Sequence, residues 1–227
     1  MLAAGDKGAL IRMPECPADG NRLERTTKVE LIGDGSLRGS TEERSFGSMA
    51  ARARAKYREK ADFTRSIERW MGSHVPGVSL TAVQPSDNFT ENMFRLAIDF
   101  AAPHYTQLMQ NRLLVFRPAV VPRSDIIPLS VAERKHEILM QGQSFTEMVK
   151  IKLPAGFAMD ELPAPEKVEN GVGVFVTNCT AKDGEVTWTR SLDVRRQVIA
   201  AGQWAEVKSF FQRVANAESE SIVLIKE

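Results

Sequence analysis

Three features of the 227-residue sequence predict an α+β fold, mainly antiparallel β, with β-sandwich-like sheets and helices packed on them. Several segments alternate apolar with polar residues and meet at Asp-Gly turns, as half-buried hairpins do. Two stretches, about 48–73 and 203–216, carry apolar residues at helical spacing. The apolar fraction, 43%, is enough for a real core in a chain of this length.

In "RLERTTKVELIGDGSLRGSTEER", Thr27, Val29 and Leu31 alternate with polar neighbours and Asp34-Gly35 supplies a tight turn. A three-residue loop with a bulge would set Leu31 and Leu37 on one face, so that register is expected. Ser48 opens a helical run with Met49, Ala53 and Tyr57 at successive i+4 positions. Asp62 caps a second run with Phe63, Ile67, Trp70 and Met71. Both helices should lie on a sheet. Pro76 and Gly77 in "HVPGVSL" end the second helix and turn the chain into a strand. "NMFRLAIDFAA" then alternates Phe94, Leu96, Ile98 and Phe100 with smaller or polar residues, the pattern of a half-buried strand.

The prolines at 103, 118, 122 and 128 favour a crossing segment or edge strands over a helix. The sequence therefore divides into residues 1–20 as a linker or fragment start, 21–105 as a hairpin, helix and strand submodule, and 106–227 as an antiparallel submodule closed by a helix and a strand. After "KHEILMQ" and "FTEMVKIKLP" comes a turn-rich stretch, "LPAGFAMDELPAPEKVENG". A two-residue turn at Asp183-Gly184 then pairs Ala181 with Val186, Cys179 with Trp188, and Phe175 with Leu192. All six share one face, on which Thr177 and Arg190 are the polar intruders. Trp204, Val207, Phe211 and Val214, widened by Phe210 and Ala215, make a helical stripe that must pack on the sheet, and "SIVLI" should add a strand to that same sheet.

Thirty basic and twenty-nine acidic side chains are spread along the chain, so no basic field marks nucleic acid or an anionic membrane as a partner. No apolar run reaches the about 18 residues that a membrane-spanning helix needs. Candidate chemistry is sparse. Cys179 falls in mid-strand opposite Trp188, without the helix N-terminus or histidine that activates a thiol. Cys16 sits between prolines in "MPECPADG" with no helix behind it. His74, His104 and His136 lie in different elements and lack ligand spacing. Asp160, Glu161 and Glu166 in "DELPAPE" could be paired carboxylates, but beside prolines they read as solvated. "GDGSLRG" and "NGVGVF" match no phosphate-binding or dinucleotide pattern. No catalytic, cofactor-binding or metal residue is assigned, and no cofactor is expected.

The ordered segments "VELIGDGSLRG", "AARARAKYREK", "HVPGVSL", "LPAGFAMDELPAPEKVENGVGVF", "WTRSLDV" and "WAEVKSFFQRVANAESESIVLIK" resemble the C-terminal region of bacterial multidomain transglutaminase-like proteins. The resemblance spans most of residues 8–227, with Trp204 standing where tyrosine is expected. It implies a β-rich accessory region, structural or interacting, that follows a papain-like core. The family's Cys-His-Asp triad would lie upstream, so neither cysteine here inherits a catalytic role. The resemblance also implies a fragment that begins just after that core, the core itself as its partner, and a parent that is often exported. Two other readings stay open: a module binding a cell-surface polymer or protein, which calls for an exposed aromatic patch or deep groove, and a hydrolase, which calls for histidine and carboxylates converging in one pocket.

Overall fold

The computed structural model describes residues 2–3, 9–10, 17–57, 63–110, 112–123 and 133–227. Cys16 and the expected helix cap Asp62 lie outside the described residues. Two short strands, β1 (Leu2–Ala3) and β2 (Ala9–Leu10), pair near the start. The first half then runs β3 (Arg22–Leu31), β4 (Leu37–Phe46), α1 (Ser48–Lys56), α2 (Phe63–Gly72), β5 (Ser79–Asn88), β6 (Met93–Ala102), β7 (Gln107–Met109) and β8 (Leu113–Phe116). The second half runs β9 (Ile138–Met140), β10 (Gln143–Lys152), β11 (Phe157–Glu161), β12 (Glu166–Glu169), β13 (Gly173–Lys182), β14 (Glu185–Val194), β15 (Gln197–Ile199), α3 (Trp204–Glu218) and β16 (Ile222–Lys226). This is the α+β architecture that the alternation predicts, with largely antiparallel, mixed sheets and no closed barrel.

The largest sheet has eight strands in the order β12-β13-β14-β10-β3-β4-β6-β5. Its neighbours are antiparallel except β10 and β3, which run parallel. A second sheet has the order β11-β16-β8-β7, and β15 and β9 form a separate ribbon. Both predicted hairpins are present. Ala181, Cys179 and Phe175 pair with Val186, Trp188 and Leu192 as the Asp183-Gly184 turn requires. Leu31 faces Leu37 directly, as the expected three-residue loop with a bulge requires: the Ile32 N–H donates to Ser36 O (3.0 Å) and the Gly35 N–H to Ile32 O (2.9 Å). Residues 33 to 35 close that turn: the Ser36 amide donates to Asp34 Oδ1 (2.8 Å), and Gly35 adopts φ 91°, the left-handed position of the bulge.

One face of the large sheet is covered and the other is open. On the covered face, Val29, Leu31, Leu96, Ile98, Phe100, Val149 and Trp188 pack with Leu114, Phe116, Ile222 and Leu224 of the second sheet and with Ile67 and Met71 of α2. This is the sandwich-like half. Toward the other ends of the strands, Leu23, Phe145, Phe175 and Leu192 pack instead under Trp204, Val207, Phe210, Phe211 and Val214 of α3. The chain enters α1 through Gly47 (φ 60°), where a Cβ would collide with the Gly20 carbonyl.

Three sequence expectations change. The final strand β16 joins the second sheet, between β8 and β11, rather than the sheet that carries α3. Ala217 rather than Ala215 extends the buried stripe of α3, because a helix continuing to Glu218 brings position 217 back to the face of Val214. The stretch read as turns holds β11 and β12, with the prolines that suggested loops, Pro163 and Pro165, lying between them.

Candidate functional site

Strand alternation places Leu23, Arg25, Thr27, Val29 and Leu31 on the covered face of β3, and Phe145, Glu147, Val149 and Ile151 on that of β10. In both strands a charged residue is in phase with the apolar stripe. The register puts these residues in one row across the sheet: Thr177 beside Arg190, Arg190 beside Glu147, Glu147 beside Arg25, and Arg25 beside Glu43. A band of alternating charge therefore crosses the interior and separates the two apolar clusters. The side chains of Arg25, Glu147 and Arg190 have no solvent exposure.

Within this band the charged side chains pair with one another. Arg25 donates from Nε to Glu43 Oε1 (2.8 Å) and from Nη1 toward Glu147 Oε1 (3.4 Å). Arg190 donates from Nε to Glu147 Oε2 (2.7 Å) and from Nη1 to Glu218 Oε1 (2.8 Å) at the end of α3. Thr27 Oγ1 donates to Glu147 Oε1 (3.3 Å) and meets Thr41 Oγ1 at 2.9 Å. Arg123 Nε approaches Glu218 Oε1 at 2.9 Å as a charge contact, since its N–H is not aligned for a hydrogen bond. Three arginines thus face three glutamates. Burial tends to lower the Arg25 pKa, but the Glu43 and Glu147 carboxylates outweigh it and hold the guanidinium charged. Aromatic rings close the band: Phe145 lies 5.2 Å from Arg25 and 5.1 Å from Arg190, and Trp188 lies 5.1 Å from Arg190.

The remaining guanidinium N–H groups explain why charges are buried here. Residues 118–122 are all buried yet belong to no strand. An irregular buried segment leaves carbonyls without ladder partners, and each unpaired one is costly. Here side chains supply the donors. Val121 O accepts from Arg25 Nη1 (2.9 Å) and Arg190 Nη2 (3.0 Å), and Pro122 O accepts from Arg25 Nη2 (3.0 Å). Further back, His74 Nδ1 lies 3.2 Å from Ala119 O, and the Tyr105 hydroxyl donates to Arg117 O (2.5 Å). Two prolines remove N–H groups that would otherwise need acceptors, so the segment asks mainly for donors. The charged band is its seat.

The residues weighed in the sequence do not converge. Cys179 is buried against the apolar cluster opposite Trp188, and burial pushes its thiol up to about 11, the reverse of what a thiolate nucleophile needs. His74 follows α2 and is held neutral-leaning by burial, while His104 and His136 are exposed elsewhere. Asp160 and Glu161 lie on β11 in the second sheet, whereas Glu166 opens β12 at the edge of the large one. Among the described residues no group of three or more His, Cys, Asp or Glu could hold a metal ion, and no helix is long and apolar enough to cross a membrane. Arg190 was visible in the sequence as an intruder on an apolar face; Arg25, Glu43, Glu147 and Glu218 were missed. Their signal was the same, a charge in phase with an apolar stripe.

No curated protein matches the chain in sequence. Among solved structures it is similar to part of a "putative protease" from Parabacteroides distasonis, at 11% identity and a TM-score of 0.42. That match covers 51% of this chain and 24% of the other, so the chain spans about a quarter of that protein's length. The family profile DUF3858, a domain of unknown function with a solved structure, matches residues 111–224. That range takes in the segment whose carbonyls accept from the arginines, Glu147, Arg190 and all of α3. The match extends over half of the sequence, and the chain belongs to the DUF3858 family.

Proposed function

We propose that this chain is a noncatalytic accessory region of a transglutaminase-like protein, with a structural or interaction role beside a core that precedes it in the parent chain. The observation that carries the reading is the use made of the interior charges. Arg25 and Arg190 are engaged by glutamates and by the carbonyls of Val121 and Pro122, inside the protein and away from solvent, which suits a structural role better than substrate binding. Cys179, with its raised thiol pKa, suits packing better than attack. The family match begins at residue 111, near the expected boundary at 105, which supports treating 106–227 as the recurring unit and 21–105 as joined to it.

A module that binds a polymer or protein partner is the second reading, and the open face of the large sheet favours it. There a depression of about 810 Å³ runs past Lys28, Glu30, Arg38, Asp99 and Lys152. Turnover distinguishes accessory from enzyme. The purified chain is expected to show no thiol-dependent peptidase, amidase or amine-transfer activity above a reagent blank. Activity that disappears in Cys179→Ala would overturn the proposal.

A further inference from the structure

A smaller cavity of about 170 Å³ lies where α1 crosses the end of the charged band. Met49, Arg52, Ala53 and Lys56 follow one another at i, i+3, i+4 and i+7, so they form one stripe of α1 and make one wall. Leu23, Glu43 and Ser45 of the covered sheet face make the other. The walls differ in sign. The helix side offers two cations, neither in an ion pair among the described residues; the strand side offers a carboxylate and a hydroxyl. Glu43 gives Oε1 to Arg25, and no donor among the described residues reaches its Oε2. Tyr57 also lines the cavity, and its phenol is pushed up by burial and then by the Glu43 charge, so it stays protonated beside that carboxylate. Leu23, Met49 and Ala53 supply an apolar surface between the two polar ends.

We infer that this cavity binds a small zwitterion of the free α-amino acid class. The ammonium group meets Glu43 and Ser45, the carboxylate meets Arg52 and Lys56, and an aliphatic side chain lies on Leu23 and Met49. The cavity, of about 170 Å³, is of a size to take one small molecule. A simple anion would find the two cations but face Glu43, and a simple amine would find Glu43 but face the cations. Only a ligand with both charges satisfies both walls.

The test is calorimetric titration of the full chain with L-leucine, L-leucinamide and N-acetyl-L-leucine. Leucine is expected to bind with one-to-one stoichiometry, and each blocked analogue to lose at least about tenfold in affinity, because it leaves one wall unpaired. Arg52→Ala and Lys56→Ala, both at exposed positions, should lose binding while keeping the thermal midpoint; Glu43→Gln should lose it as well. Because Glu43 also pairs with Arg25, the two helix variants decide the matter if Glu43→Gln folds poorly. No heat at about 10 mM leucine overturns the inference. Equal binding of N-acetyl-leucine reduces the site to an anion site, and equal binding of leucinamide reduces it to a cation site; either result overturns it too.

Discussion

Replacing Glu147 with glutamine keeps the shape of the side chain and removes the charge that two buried arginines share. In the native protein its Oε2 accepts from Arg190 Nε at 2.7 Å, and its Oε1 from Thr27 and, at longer range, Arg25. Glutamine would keep one acceptor and turn an N–H₂ group toward guanidinium donors. The interior would then hold Arg25, Arg123 and Arg190 against only Glu43 and Glu218. Breaking a buried pair by removing one partner costs about 3–5 kcal/mol, since an uncompensated charge remains. A chain of this size loses about 2–4 °C in melting temperature per kcal/mol, so the midpoint should fall by about 6–20 °C. Urea unfolding followed by tryptophan fluorescence measures the loss, and an unchanged slope would show that the denatured state is not its source. Glu30→Gln is the control. Its carboxylate joins Arg38 and Lys152 at the surface, and its removal should barely move the transition. A loss below about 1 kcal/mol for Glu147→Gln would refute the reasoning, because it would mean that the band is hydrated or relaxes freely.

Other consequences follow from the same packing. Phe210→Ala, at a site with 1% exposure on the buried face of α3, should cost about 3–5 kcal/mol, whereas the exposed Ser209→Ala should leave the urea midpoint unchanged. In a Cys16→Ser background, Cys179 should resist a thiol reagent until the chain unfolds; rapid native labelling would contradict its burial. Its folded pKa, up to about 11, lies above the unfolded value, so its contribution is fully present below about pH 8.5 and is lost as pH rises toward 11. Cys179→Ala should flatten that alkaline slope. His74 behaves in the opposite sense. Burial lowers its pKa, so below about pH 6.5 the unfolded chain takes up the proton first and stability falls with pH, a slope that His74→Gln should reduce.

Local chemistry made the hairpins and helices readable. Asp183-Gly184 fixed one register, and cross-strand matching of Cys179 with Trp188 agreed with it. The stripe of Trp204, Val207, Phe211 and Val214 needed only helical periodicity. What failed was long-range partnership. Nothing near β16 says that it pairs with β8 across more than a hundred residues rather than with the sheet beneath α3. The charged band failed for the same reason. Arg25 and Glu147 are neighbours only through a parallel pairing of distant strands, so each read alone as an ordinary polar residue in an alternating run. Arg190 stood out because its hairpin could be registered locally, yet its partners could not. The segment 118–122 looked like a crossing because its prolines exclude a helix; that it lies buried, with its carbonyls held by arginines, depends on tertiary structure alone.

Hydrogen exchange, read by mass spectrometry in wild-type chain and in Arg25→Met, tests most directly whether the interior charges exist to seat residues 118–122. Arg25 holds both the Val121 and Pro122 carbonyls, so its loss should release that segment while the β13–β14 hairpin keeps its own ladder. The amides of Ala119, Val120 and Val121 are expected to exchange far faster in the variant, with the peptide covering 173–194 little changed under native conditions. Uniform acceleration in both peptides, or none in either, would contradict the claim.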